Sequence, residues 1–146
     1  MLATGVWVLS RGVALPDRPR LIVHARVGTG RNVHLAGDMD VAAWRARVPG
    51  LLGYSAHSRA EADAAFAAGA DYVFLSPVFE ARHGRPPIGV ADLRGCLALG
   101  GVTLDRVARC MDAGAAGVAV AGAIFDTPDP AAAARAFVQK VQTSGS

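Results

Sequence analysis

The sequence predicts an α/β fold of repeated strand-then-helix units, a (β/α)8 barrel of the TIM type. Three observations carry this. The strand candidates are continuous apolar runs rather than alternating ones, the pattern of strands buried on both faces in a parallel sheet. Helical stretches with their own start signals stand between most of them, and such βα repeats imply right-handed crossovers. No Gly-x-Gly-x-x-Gly opens the first helix, which argues against the open, dinucleotide-binding sheet.

The elements follow in order. "VWVLS" near the N-terminus is a first strand, "RLIVHARV" at 20–27 a second and "NVHLA" at 32–36 a third. The helical "DMDVAAWRARV" comes next, with Asp38 or Asp40 as cap. "LLGYSAH" at 51–57 is a fourth strand. In the following "SRAEADAAFAAGA", Ser58 and Glu61 form a capping box and Gly69 ends the helix. "DYVFLSPVF" at 71–79 is a fifth strand, and "VADLRGC" at 90–96 a short helix. "LALGG" at 97–101 is a sixth strand, and "TLDRVARCMDAGA" its helix, capped by Thr103. "GVAVAGAIF" at 117–125 is a seventh. The last helix has Asp129 as N-cap and Pro130 at the first helical position.

The 146 residues fit one domain, 1–146. At 52% hydrophobic and 18% charged, the chain can bury a real core. No run of eighteen apolar residues suggests a membrane span, and the N-terminus lacks the basic region of a signal peptide. A cytoplasmic protein is expected. Cys96 and Cys110 have neither metal-ligand spacing nor a secretory context, so they read as buried free thiols. The net charge of +3 is spread over arginines from Arg18 to Arg85, with no dense basic stripe. That excludes an obvious nucleic-acid surface and suits a small anionic ligand.

Gly100-Gly101 and Gly122 close two successive strands. Glycine lets the main chain approach a charged group closely, and phosphate is the usual ligand of such N–H groups. A barrel gathers the C-terminal ends of its strands around one site, so Gly100, Gly101, Ala121 and Gly122 are expected to share a phosphate. Tight strand-to-helix turns are the plainer reading of the same glycines.

"LIVHAR", "VHLAGD", "GYSAHSRAEADAAFAAGADYVFLSPVF", "PPIGVADLR", "LALGGVT" and "AGAAGVAVAGAIF" stand in the order seen in the thiamine phosphate synthase/TenI family, which the chain resembles from Arg20 to about Val138. The resemblance implies a (β/α)8 barrel of about 200 residues, so this chain is short. Where the family has a second strand and two helices, "VALPDRP" stands, and the helix before "NVHL" is cut to "GTGR". The barrel is therefore either degenerate or lacking segments.

The resemblance implies a phosphorylated thiazole or thiamine phosphate as ligand, and either of two activities. A synthase joins a pyrimidine pyrophosphate to a thiazole phosphate with Mg²⁺. The family's Asn-Asp-Arg triplet, which supplies a metal carboxylate, is here His24-Ala25-Arg26; a second metal aspartate falls near Asp38. The segment that grips pyrophosphate is "EARHGR", where Arg82, His83 and Arg85 keep positive charge without the family's hydroxyls and lysine. A TenI-type tautomerase needs one phosphate grip, one proton carrier and no metal cofactor, and is the preferred reading of the resemblance. Its acid/base would be His24 at a strand end, since histidine titrates near neutrality. The TenI branch commonly has a histidine in the strand that here reads Ser76-Pro77. Arg26, Ser55 and His57 complete the expected substrate contacts with Arg82 and His83. His34 reads more simply as packing or hydrogen bonding at a strand end. A non-catalytic phosphate-binding protein is the third reading, and a homo-oligomer is compatible with all of them.

Overall fold

The computed structural model describes residues 6–11 and 20–144. The chain divides into two compact units, one over Trp7–Phe74 and the other from Leu75 onward. The link at 13–19 lies outside the described residues.

In the Trp7–Phe74 unit, β1 (Val8–Ser10), β2 (Leu21–His24), β3 (Val33–Leu35) and β4 (Leu52–Ala56) pair in chain order, every pair parallel. Register sets His24 beside His34, and His34 beside Gly53. The apolar runs of the sequence are the core here: Leu21, Ile22, Val23, Val33, Leu35 and Leu52 are all buried. No helix joins β2 to β3, as the shortened "GTGR" predicts; the Val27 and Gly28 N–H groups fold back onto the His24 carbonyl.

Helix α1 (Val41–Arg45) is capped by Asp40, whose side chain accepts from the Ala43 N–H. Asp38 is not the cap. Helix α2 (Arg59–Ala67) starts with the serine half of the expected box: Ser58 Oγ accepts from Glu61 N–H, while the Glu61 carboxylate accepts from the His57 N–H, one residue before the cap, at 2.8 Å. Gly69, at φ +114°, ends it. Arg45 ties the two helices to the sheet. Its guanidinium donates to Asp71 and to the carbonyls of Val48, Gly50 and Gly69. β5 (Tyr72–Leu75) follows.

In the second unit, β6 (Leu97–Leu99) and β7 (Gly117–Ala119) pair in parallel, with Leu97 beside Gly117 and Leu99 beside Ala119. Between them a 3-10 turn (Leu104–Arg106) leads into α3 (Val107–Asp112), which buries Val107 and Cys110. Thr103 precedes the turn, but its hydroxyl bonds Asp105 rather than capping the helix. Then come α4 (Gly122–Phe125) and α5 (Pro130–Ser144). Asp129 accepts from the Ala132 N–H, so the predicted cap holds.

Two expectations are corrected. Residues 90–96 form turns rather than a helix, because the segment's backbone bonds run elsewhere: the Gly95 N–H donates to the Gly114 carbonyl. The seventh strand stops at Ala119, and its last residues coil into α4, where the Phe125 N–H donates to the Ala121 carbonyl. The structure bears out an α/β fold with parallel strands. Among the described residues there are seven strands, and a complete (β/α)8 barrel is not shown.

Candidate functional site

In the second unit, register carries β6 and β7 forward side by side, so Gly100-Gly101 and Ala121-Gly122 leave adjacent strand ends. Gly100 and Gly101 have φ of +106° and +70°. A side chain at Gly100 would lie 2.9 Å from Pro77 Cα and 3.0 Å from the Val78 nitrogen. The backbone there is locked: the Val78 N–H donates to Leu99 and the Phe79 N–H to Gly100. Arg106 holds the Gly101 carbonyl at 2.7 Å and approaches Glu80 at 3.7 Å, while its guanidinium and that of Arg109 lie over the Phe79 ring. A Cβ at Gly101 would meet the Glu80 side chain, and one at Gly122 would meet the Asp126 carboxylate. The glycines are thus required by close packing.

Arg82 and Arg85 exchange both backbone hydrogen bonds across a two-residue turn. His83 and Gly84 form that turn at φ +50° and +75°, the geometry of a tight type I′ hairpin. The hairpin sets two arginines directly opposite each other on an exposed loop. Like charges in that relation repel, and an anion between them would relieve the repulsion.

In the Trp7–Phe74 unit, His24 sits at the C-terminal end of β2, as expected. The strand expected to run to Val27 ends at His24, so Arg26 lies in the turn beyond. Its N–H donates to His24 Nδ1 at 3.2 Å. Its guanidinium grips both oxygens of Asp38 at 2.6 and 2.7 Å, a pair open to solvent. Arg26 lowers the Asp38 pKa through this bond. Partial burial, then the charges of Arg11 and Arg26, lower that of His24.

This bears on Mg²⁺. The metal needs oxygen donors, chiefly carboxylates, in octahedral array. Ala25 offers none, Asp38 is already bound by Arg26, and Asp40 is engaged as a cap. Among the described residues no group of three His, Cys, Asp or Glu side chains gathers to hold a metal ion. The residues present do not fit a magnesium site of the family's kind.

Sequence reasoning missed one cluster. His34 is fully buried, with Nδ1 2.8 Å from the Tyr72 hydroxyl and Nε2 2.7 Å from Ser55 Oγ. Its ring packs against Tyr72 and Phe74, with His24 at 5.8 Å. Burial, then the charges of Arg11 and His24, bring its pKa down from 6.5 to about 3. Burial pushes the Tyr72 phenol up. Ser55 and His57 flank Gly37, where a Cβ would lie 2.9 Å from the Ser55 carbonyl and 3.8 Å from the His57 ring. The available signal was Gly53, a glycine inside an apolar strand, which often marks the close approach of another group.

No helix among the described residues is long and apolar enough to cross a membrane. The solved thiamine phosphate pyrophosphorylase from Pyrococcus furiosus superposes with a TM-score of 0.72 at 24% identity, covering 85% of this chain and 68% of that one. A 3-hexulose-6-phosphate synthase gives 0.57 at 20% identity, over 82% and 72%; both likenesses concern the fold. By sequence, a thiamine-phosphate synthase of Thermus thermophilus is 36% identical over 140 residues, covering 87% of this chain and 66% of the relative. One of Chromobacterium violaceum is 39% identical over 126 residues, covering 77% and 60%. The chain thus spans somewhat less than two thirds of these relatives. The family model described as thiamine monophosphate synthase matches residues 17–124, and the chain belongs to that family.

Proposed function

We propose that this chain works in the formation of thiamine phosphate, on the synthase side of its family, and that it takes a phosphorylated thiazole by its phosphate. The observation that carries this is the pair of adjacent strand ends, Gly100-Gly101 and Ala121-Gly122, in a chain whose relatives are named thiamine-phosphate synthase. The glycine N–H groups hold the phosphate. Arg82, His83 and Arg85 form a separate anion-attracting hairpin suited to a second phosphate group. Ser55, His57 and the Arg26–Asp38 pair belong to the Trp7–Phe74 unit and would act as ligand contacts there in their own right. No step is assigned to a metal, because among the described residues the carboxylates do not gather for one.

The tautomerase reading, preferred from the sequence, now stands second. It is favoured by His24, a titratable ring at the C-terminal end of β2 that presents Nε2–H while Nδ1 accepts from the Arg26 N–H. It finds no support in the names of the relatives. One experiment separates the two. The protein is given thiazole phosphate with and without the pyrimidine pyrophosphate and Mg²⁺, and products are resolved by chromatography. Thiamine phosphate with released pyrophosphate, formed slowly for want of the carboxylate at Ala25, is the expected outcome. An isomerised thiazole phosphate formed without the second substrate would move the assignment to tautomerase. Neither product would remove the enzymatic reading.

A further inference from the structure

Three successive carbonyls at the end of β6 are each held by a donor of the same unit. The Leu99 carbonyl accepts from the Val78 N–H and the Gly100 carbonyl from the Phe79 N–H, both at 2.9 Å. The third, that of Gly101, accepts from the Arg106 guanidinium at 2.7 Å. Two of the holds are therefore backbone, and the third is a side chain. The 3-10 turn over Leu104–Arg106, closed by the Arg106 N–H on the Thr103 carbonyl at 2.9 Å, folds that side chain back onto residue 101.

The guanidinium is anchored by more than this bond. Its Cζ lies 5.0 Å from the centre of the Phe79 ring, a cation–π approach, and Phe79 is the residue whose N–H holds Gly100. A planar guanidinium can stack on a ring and donate from its edge at once. Glu80 lies 3.7 Å from it, beyond hydrogen-bonding reach, and both side chains are partly exposed. Such an ion pair is worth little, whereas a charged donor on a carbonyl makes a short, strong hydrogen bond. The bond to Gly101 is thus the stronger of the two polar contacts.

A peptide unit is planar and trans, so its N–H points opposite to its C=O. The Gly101 carbonyl shares its peptide with the Val102 N–H. Gly101, at φ +70°, lacks the Cβ that narrows the choices of other residues, so the direction of this peptide needs an outside hold. Val102 is buried, and its N–H has no hydrogen-bond partner among the described residues. A buried N–H in that state calls for an acceptor. We infer that Arg106 is a positioning residue of the phosphate site: by gripping the Gly101 carbonyl it turns the Val102 N–H toward the bound phosphate. Arg106 does not itself touch the ligand. This rests on the reading that Gly100-Gly101 hold a phosphate.

The test uses the whole protein, with thiazole phosphate and the same thiazole without its phosphate as probes. Arg106→Met keeps an apolar stem and removes the donor. Calorimetry is expected to show about tenfold weaker binding of thiazole phosphate, with affinity for the alcohol unchanged. Arg109 supplies the control. Its guanidinium lies over the same Phe79 ring, at 5.1 Å, but the bond to Gly101 belongs to Arg106. Arg109→Met removes an equal, exposed and screened charge, and is expected to bind within about twofold of the wild type. Equal losses in the two variants would reduce Arg106 to a nearby charge and overturn the inference. In ¹⁵N-labelled wild type, the Val102 amide resonance is expected to move as thiazole phosphate is added. A resonance that stays in place would overturn the phosphate reading and the inference together. Movement in the wild type beside unchanged affinity in a folded Arg106→Met would leave that reading standing and overturn the inference alone. Should Arg106→Met not fold, Arg106→Lys keeps the charge without the stacking fork. About threefold weaker binding is then expected, and wild-type affinity would overturn the inference.

Discussion

The Tyr72 hydroxyl lies 2.8 Å from His34 Nδ1, in space that exists only because residue 53 has no side chain. Gly53→Ala would press a methyl group into the Tyr72 ring. Overpacking of this kind costs about 1–3 kcal/mol, and denaturant unfolding should show at least that loss. An Ala variant as stable as the wild type would mean that the ring has room the structure does not show.

His34 also makes stability depend on pH. Its folded pKa is depressed from 6.5 to about 3. Above pH 6.5 both folded and unfolded chains hold it neutral, and its contribution is fully present. As pH falls from 6.5 toward 3, the unfolded chain takes up a proton that the folded one refuses. Stability therefore declines through that window, by up to about 5 kcal/mol for this group. Urea unfolding at a series of pH values should show the slope, and His34→Gln should flatten it. An identical slope in both proteins would count against the buried, neutral ring.

Ala25 stands where the family places a carboxylate, and Asp38 is held by Arg26. Mg²⁺-dependent release of pyrophosphate from the two synthase substrates is expected to be slow, below the ordinary enzyme range of about 1–10³ s⁻¹. Ala25→Asp should raise it. A wild-type rate within that range would show that the missing carboxylate is not needed.

His24→Asn keeps size and some hydrogen bonding but removes the titrating group. If isomerisation of thiazole phosphate is detected, the variant should lose at least about tenfold in rate with phosphate binding nearly intact. Full isomerase activity in the folded variant would move the proton carrier to His57 or His83.

Much of the fold could be read from local signals. The serine half of the Ser58–Glu61 box, the Gly69 stop and the Asp129 cap each depend on residues within a few positions, and all three hold. The ends of elements were harder. Apolar residues at 122–125 look alike in strand and helix, and the turn of α4 is decided by a backbone bond to Ala121. The glycine ends were legible because two lay one unit apart, and register does set them side by side. The Tyr72–His34–Ser55 chain was not legible, since its partners stand 38 and 21 positions apart in sequence. The second strand reads as continuing to Val27, but it stops at His24, which leaves Arg26 in the turn beyond.

The central claim is a phosphate held at Gly100-Gly101 and Ala121-Gly122. Calorimetric titration of thiazole phosphate, and of the same thiazole without its phosphate, tests it most directly in the wild type and in Gly101→Asp. The added carboxylate would face the anion beside Glu80. The account predicts that the wild type binds the phosphorylated compound far more tightly than the alcohol, and that Gly101→Asp, still folded by circular dichroism, loses that preference. Equal affinity for both compounds in the wild type, or an unchanged preference in the variant, would contradict it.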